Sequence, residues 1–377
     1  KQDGSVMLWY TDKDNNSLYE ISIGSENGSV EANTNGSGMF AYLDNVSTLD
    51  LSGLDTSNMT SMSKMFYKST SLTNIDLSGF DTSKVVNMNG MFTGCTNLKT
   101  LDASNFKTSK VTDMNNMFED CSSLTTLDLS NFDTSNVTTM GNPYSYSYGG
   151  MFRNCSSLVS LNVSSFNTSK VKQMSNMFHG CSSLVTLDLS NFDTSNVTAM
   201  ASMFEKCTNL KKLNLSSFNT SKVTNMDSMF MNCKSLADLN LSGFDTSSVQ
   251  TFKRMFYTCS SLVNLDLSSF DTSSAISMWN MFSESSNLET LDLSNFTTSK
   301  LETTYFMFNN CSKLKTIYVS NEWVTTSLKT SNGMFTNCSS LIGTSPEGIT
   351  TKYDSSKIDA TMANYTNGYF TYKKNTN

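Results

Sequence analysis

The dipeptide Met-Phe recurs at Met39, Met65, Met91, Met117, Met151, Met177, Met203, Met229, Met255, Met281, Met307 and Met334, at a spacing of 26 residues broken by one gap of 34 and one of 27. A fixed period in this range marks a stacked-repeat architecture, and it overrides the two or three domains that 377 residues would otherwise suggest. Aligned, the copies read Met-Phe-x-x-Cys-Ser/Thr-Ser/Asn-Leu-x-x-Leu-Asp/Asn-Leu-Ser-x-Phe-Asp/Asn-Thr-Ser-x-Val-x-x-Met-x-x. In one copy the apolar positions are Met117, Phe118, Cys121, Leu124, Leu127, Leu129, Phe132, Val137 and Met140, a share close to the 38% hydrophobic content of the whole chain. Nearly all apolar surface therefore belongs to the repeat. No copy can bury such a stripe alone, whereas stacked neighbours make it one core.

The pattern predicts an α/β or mainly-β solenoid, a leucine-rich-repeat-like stack of about 12 coils of 26 residues with a parallel β-sheet along one face and capped ends. Leu124 to Ser130 alternates apolar and polar residues as a half-buried strand does. Phe132-Asp133-Thr134-Ser135 is turn chemistry, because Asp and Thr side chains bond nearby backbone amides. Residues 137–158 are expected to return across the other side as extended or single-turn helical pieces, with Met140, Met151, Phe152 and Cys155 inward. Residues 1–38 lack the unit, and Trp9, Tyr10, Leu18, Tyr19, Ile21 and Ile23 suggest a β-hairpin cap. The solenoid is placed at 39–342, with an insertion loop at 141–150. Residues 343–377 form a second cap, with Tyr353, Ile358, Met362, Tyr365, Tyr369, Phe370 and Tyr372 as packing candidates.

Across residues 39–342 the Met-Phe, Cys, Leu-x-x-Leu-Asp-Leu-Ser and Phe-Asp-Thr-Ser elements resemble the BspA-like leucine-rich repeat bacterial surface proteins, copy after copy. Trp9 to Ile23, Tyr353-Asp354-Ser355 and Gly368-Tyr369-Phe370-Thr371 resemble that family's opening and closing segments. The resemblance implies export to the surface of host-associated bacteria and, for some members, adhesion to host proteins or other cells. It implies no catalytic residues.

A net charge of −7 argues against nucleic acid, whose binding needs clustered Lys and Arg, and Arg153 and Arg254 are the only arginines. There is no apolar run of 18 residues and no charged-then-apolar N-terminus, so neither a membrane span nor a signal peptide is expected in this segment. That fits a secreted or surface-held monomer already trimmed of its leader. Cys95, Cys121, Cys155, Cys181, Cys207, Cys233, Cys259, Cys311 and Cys338 occupy one slot of the repeat, which Ser69 and Ser285 fill in two other copies. Stacked strands lie about 4.8 Å apart, longer than the Cβ separation a disulfide needs, so a structural ladder of free, buried thiols behaving as small hydrophobes is expected.

Little is left for chemistry. His179, the single histidine, falls between Phe178 and Cys181 where other copies have Glu119, Arg153 or Glu205, and is read as an exposed surface variant. No triad, cofactor or metal site is expected. One acidic or amide column runs Asp76, Asp102, Asp128, Asn162, Asp188, Asn214, Asn240, Asp266, Asp292; another runs Asp55, Asp81, Lys107, Asp133, Asn167, Asp193, Asn219, Asp245, Asp271. Both have calcium-compatible oxygens, yet turn and strand capping accounts for them without a metal. Thr82, Thr108, Thr134, Thr168, Thr194, Thr220, Thr246, Thr272 and Thr298 form an array that fits hydrogen-bonded turns better than an ice-binding surface.

What differs between copies is more informative. The insertion carries Pro143, Tyr144, Tyr146 and Tyr148, residue types suited to adaptable contacts, which makes them candidate ligand-binding residues; a tolerated surface loop is the plain alternative. Outward positions such as Lys212 and Asp238 also vary. The leading expectation is a non-enzymatic module for adhesion to or recognition of an unknown protein or glycan, for example host extracellular matrix or another cell. A structural spacer without a ligand is the alternative, and a polysaccharide-active β-solenoid enzyme a remote one.

Overall fold

Wherever a member of the Asp/Asn column lies in a strand, as Asp76, Asp128, Asn162, Asp188, Asn214 and Asp292 do, it is the strand's last residue. Asp128 Oδ1 accepts from the Ser130 amide at 3.0 Å, and the same bond recurs at Asp76, Asp102, Asp188, Asp266 and Asp292. A side chain that captures the amide two residues on turns the backbone out of the ladder. The strands are accordingly three residues long where Leu124 to Ser130 suggested seven. A second such turn follows at Asp133 (Ser135 amide, 2.9 Å) and a third at Asn87 and Asp113 (Asn89 and Asn115 amides, 2.8 and 2.9 Å).

The computed structural model describes residues 7–13, 15–24, 29–141 and 149–374. It is a β-solenoid of about 13 turns of about 26 residues, in two units, 1–184 and 185–377. In the first unit the strands are β1 (Met7–Thr11), β2 (Tyr19–Gly24), β3 (Val30–Glu31), β4 (Val46–Asp50), β5 (Leu54–Asp55), β6 (Asn74–Asp76), β7 (Thr126–Asp128) and β8 (Ser160–Asn162). β1 and β2 pair antiparallel, β2 continues parallel to β4, and β4 to β6. β7 and β8 pair parallel in the repeat register, Leu127 opposite Leu161. Repeat geometry begins upstream of Met39: Val30 pairs with Leu54 and Asn35 bridges Ser61. Backbone pairing does not need the Met-Phe side chains that place the first copy at residue 39.

In the second unit the strands are β9 (Thr186–Asp188), β10 (Lys212–Asn214), β11 (Thr290–Asp292), β12 (Thr316–Val319), β13 (Ile342–Thr344), β14 (Thr350–Lys352) and β15 (Phe370–Tyr372), with a 3-10 turn at Ala360–Met362. β9 and β10 are parallel, as are β11 and β12. The last strand does not add to the end: β15 lies between β12 and β13, parallel to both, and β14 pairs antiparallel outside β13.

The return side holds no α-helix among the described residues. It carries a second parallel ladder, Asn35–Ser61–Asn87–Asp113–Thr139–Gln173 in the first unit and Ala199–Asn225–Thr251–Ser277–Thr303–Thr330 in the second. Of the two expected forms, extended or single-turn helical, the helical one is absent because left-handed residues flank the Met-Phe pairs, for example Asn116 (φ 61°) and Asp120 (φ 60°), or Ser228 (φ 57°) and Asn232 (φ 61°). Two φ > 0 residues four apart break any right-handed turn, and Asn, Asp and Gly tolerate that region best.

Inside, the Phe of Met-Phe stacks coil on coil with nearly parallel rings: Phe92–Phe118 at 5.7 Å and 1°, Phe118–Phe152 at 5.7 Å and 5° in the first unit, Phe256–Phe282 at 5.7 Å and 9°, Phe282–Phe308 at 5.7 Å and 1° in the second. Such contacts add about 0.5–1.5 kcal/mol each beyond area burial. From Met65 onward the Met column, and the whole Cys column, are fully buried beside them. The threonine array is buried too. The hydroxyls staple coil to coil by donating to a carbonyl of the next coil, and Thr82 with Lys107 (3.0 and 2.7 Å) and Thr194 with Asn219 (both 2.8 Å) also accept from the same residue's amide. These threonines bind adjacent coils rather than closing turns within one.

Candidate functional site

The two leucine rows of the strand segment point inward, so positions between them are presented outward in register. β9 and β10 place Lys212 beside Thr186, Leu213 beside Leu187 and Asn214 beside Asp188. Leu187 is buried, while Thr186, Asp188, Lys211, Lys212, Asn214, Asp238 and Asn240 are exposed and line one shallow depression. Asn214 Nδ2 donates to Asp188 Oδ1 at 3.0 Å. Backbone and hydroxyl bonds from Ser190 hold the Asp188 carboxyl below its ordinary range, so it stays ionised in mild acid. Among the described residues neither Lys211 nor Lys212 forms an ion pair. The result is two lysines and the carboxylates of Asp188 and Asp238 lining one depression. It can recognise a partner by charge and side-chain hydrogen bonds. Lys212 and Asp238, singled out by their variation between copies, belong to it; Lys211 was missed, although other copies have Thr125 or Val185 at its position.

The insertion residues Pro143, Tyr144, Tyr146 and Tyr148 lie outside the described residues. The polar cluster at its root is described. Gly149 N donates to Glu119 Oε1 (3.1 Å), Gly150 N to Asn116 Oδ1 (2.9 Å), and Arg153 Nη1 reaches Glu119 Oε1 at 3.2 Å. Burial raises the Glu119 carboxyl above its ordinary value, outweighing the nearby guanidinium. The column read as exposed therefore needs correction. Glu119 and His179 are 7% and 5% exposed, and the Arg153 side chain only 14%. The left-handed residue after each of them folds the chain back against the coil, which two variable letters between Phe and Cys do not reveal.

The nine cysteines are free and buried. Their thiols are more than apolar filler. Cys121 Sγ donates to the Phe92 carbonyl at 3.2 Å, Cys155 to Phe118 at 3.1 Å, and Cys259 to Phe230 at 3.1 Å. Ser69 and Ser285 make the same bond to Phe40 and Phe256, at 2.7 and 2.6 Å. Cys and Ser alternate in this slot because both donate. Among the described residues no group of three His, Cys, Asp or Glu side chains is placed to hold a metal, and no helix is long and apolar enough to cross a membrane.

Comparison with known proteins finds similar chains among the solved structures. The chain resembles in structure a leucine-rich repeat protein from Bacteroides ovatus ATCC 8483 (16% identity, 86% of this chain and 97% of that one, TM-score 0.38). A leucine-rich repeat protein from Eubacterium ventriosum ATCC 27560 is similar over 93% and 97% (16% identity, TM-score 0.36). An internalin, inlF, from Listeria monocytogenes str. 4b F2365 is similar over 76% and 87% (16% identity, TM-score 0.24). A search of curated proteins finds no match. One family profile matches three times, over residues 34–149, 146–263 and 236–345, and so spans nearly all the repeats. The chain belongs to the family described as Mycoplasma protein of unknown function, DUF285.

Proposed function

We propose that this chain is a non-enzymatic recognition scaffold displayed at or released from a bacterial surface, and that the exposed strand face of residues 185–377 holds a protein or glycan partner. The observation that carries the reading is the Lys211–Lys212 pair, free of ion pairs among the described residues and lining one depression with Asp188 and Asp238. Unspent charge on a preorganised surface favours encounter and register with a complementary partner. The resemblance to BspA-like surface proteins supports external display and adhesion. The acidic column offers an enzyme little, since each carboxylate already accepts a turn amide, as Asp188 does from Ser190.

The test is binding of the full chain to immobilised extracellular-matrix proteins, mucin glycans and whole bacterial or host cells. Saturable binding that is lost in the Lys211→Glu/Lys212→Glu variant, with its melting temperature unchanged, supports the reading. Saturable binding indifferent to those lysines refutes the assigned face. No binding to any of these surfaces favours the spacer.

A further inference from the structure

The two positions before Met-Phe hold small or polar residues through most of the chain, as in Asn89-Gly90, Asn115-Asn116, Ala201-Ser202 and Asp227-Ser228. Three consecutive coils of the second unit depart from this, with Lys253-Arg254, Trp279-Asn280 and Tyr305-Phe306. Their side chains meet. The Arg254 guanidinium lies 4.6 Å over the Trp279 ring. Trp279 meets Tyr305 at 6.1 Å and 63°, and Tyr305 meets Phe306 at 4.3 Å and 65°. With its amide oriented to satisfy both ends, Asn280 accepts from Trp279 Nε1 at 2.8 Å and donates to the Phe306 carbonyl at 3.3 Å, which locks the indole in place. All five side chains are half-buried.

This arrangement works against the local preferences of the chain. Phe306 sits at φ 52° and Arg254 at φ 55°, a region that suits Asn or Gly and strains bulky residues. A Cβ at Gly333 in the next coil would fall 2.2 Å from Phe306 Cε1, so that glycine leaves room for the ring. The core does not need these aromatics, because Phe256, Phe282 and Phe308 already fill its column. Strained residues that break the local rule without serving the core concentrate at binding sites.

Arg254 also stands apart electrostatically. Arg153, the other arginine, is committed to Glu119. Among the described residues the Arg254 guanidinium makes no hydrogen bond or ion pair, in a chain of net charge −7. A guanidinium held over an indole with no ion pair of its own keeps N–H donors available, and the guanidinium fork pairs bidentately with a carboxylate.

We propose that Arg254, Trp279 and Tyr305 form a binding site for a carboxylated saccharide. Arg254 takes the carboxylate, the C–H face of the sugar packs on the Trp279 and Tyr305 rings, and the Tyr305 hydroxyl serves the sugar hydroxyls. An acidic peptide fits less well. Strand addition needs free backbone groups, and here Arg254 N is bonded to Trp279 O (2.8 Å), Asn280 N to Tyr305 O (2.9 Å) and Phe306 N to Asn332 O (3.1 Å). The site shares no residue with the strand face and does not rest on that reading.

The experiment is an NMR titration of the full chain, following the Trp279 indole N–H resonance, assigned with Trp279→Phe. The probes are tri-galacturonate, a hyaluronan tetrasaccharide, sialyllactose, the methyl ester of tri-galacturonate and hexaglutamate. At least one free acid should shift the resonance saturably, and esterification or Arg254→Ala should weaken binding by about tenfold or more. Arg254→Lys should fall between, keeping charge without the planar fork, and Lys352→Ala, at an exposed lysine of β14, should change nothing. The proposal is overturned if no acidic saccharide saturates the resonance by about 10 mM, if the ester binds as well as the acid, or if hexaglutamate binds more tightly than every sugar. The wild-type titration decides even if a variant does not fold.

Discussion

Phe335 meets Tyr369 edge-on, with ring centroids 5.3 Å apart and planes at 86°. Every earlier contact in its column of the second unit is nearly parallel, down to Phe308–Phe335 at 11°. Phe370 also meets Phe335 at a steep 73°. A perpendicular ring offers no face for another coil, so these two aromatics end the stack while β15 fills the sheet between β12 and β13. Tyr369→Ala removes a fully buried ring and should cost about 3–5 kcal/mol. Loss of cooperative unfolding or self-association of the variant, read by denaturant melts and light scattering, would show the cap closing the sheet; a variant as stable and monodisperse as the parent would sink that assignment.

Thr134 Oγ1 donates to the Asn167 carbonyl at 2.9 Å and accepts from its amide at 2.8 Å. Thr134→Val keeps the shape but strands two backbone groups, so it should destabilise by about 1–3 kcal/mol. Ser135→Ala, in the adjacent turn, is expected to cost about 0.5 kcal/mol or less. Equal midpoints for the two variants in urea would argue against the staple.

Burial pushes the Cys95, Cys259 and Cys338 thiols up to about 12. In the unfolded chain a thiol ionises near about 8.5. Between these values the folded state binds more protons, so the thiols' contribution is complete below the unfolded value and is lost as pH rises toward the folded one. Each adds about 1.4 kcal/mol per pH unit to the loss of stability in that window. Urea midpoints should fall steeply above pH about 9, and Cys259→Ser, which Ser285 shows to fit the slot, should flatten the slope. Midpoints flat to pH about 10.5 would contradict this.

Arg153 and Glu119 form a nearly buried pair at 3.2 Å beneath the insertion. Arg153→Met leaves the carboxylate buried and unpaired and should cost about 3 kcal/mol at neutral pH. Adding Glu119→Gln should restore much of that loss. A double variant no better than the single one would locate the damage in packing instead.

Much of the molecule was legible in its letters. The Met39-to-Met334 spacing dictates coil length, and the Leu124, Leu127 and Leu129 pattern dictates which residues face inward. Slots filled by Cys or Ser, by Asp or Asn and by Thr mark ladders, since a column repeated at each coil must satisfy itself against its own neighbours. Periodicity does not state backbone handedness or inter-coil hydrogen bonding. The left-handed residues at Asn116 and Asp120, the second parallel ladder through Asn87 and Asp113, the burial of His179 and the insertion of β15 depend on contacts between segments 26 or more residues apart. The same holds for Arg254 on Trp279. Their letters mark only departures from the repeat, and the tertiary structure brings three such departures from adjacent coils into contact. Local sequence sets which groups each coil must bury or bond; stacking decides which partner each one meets.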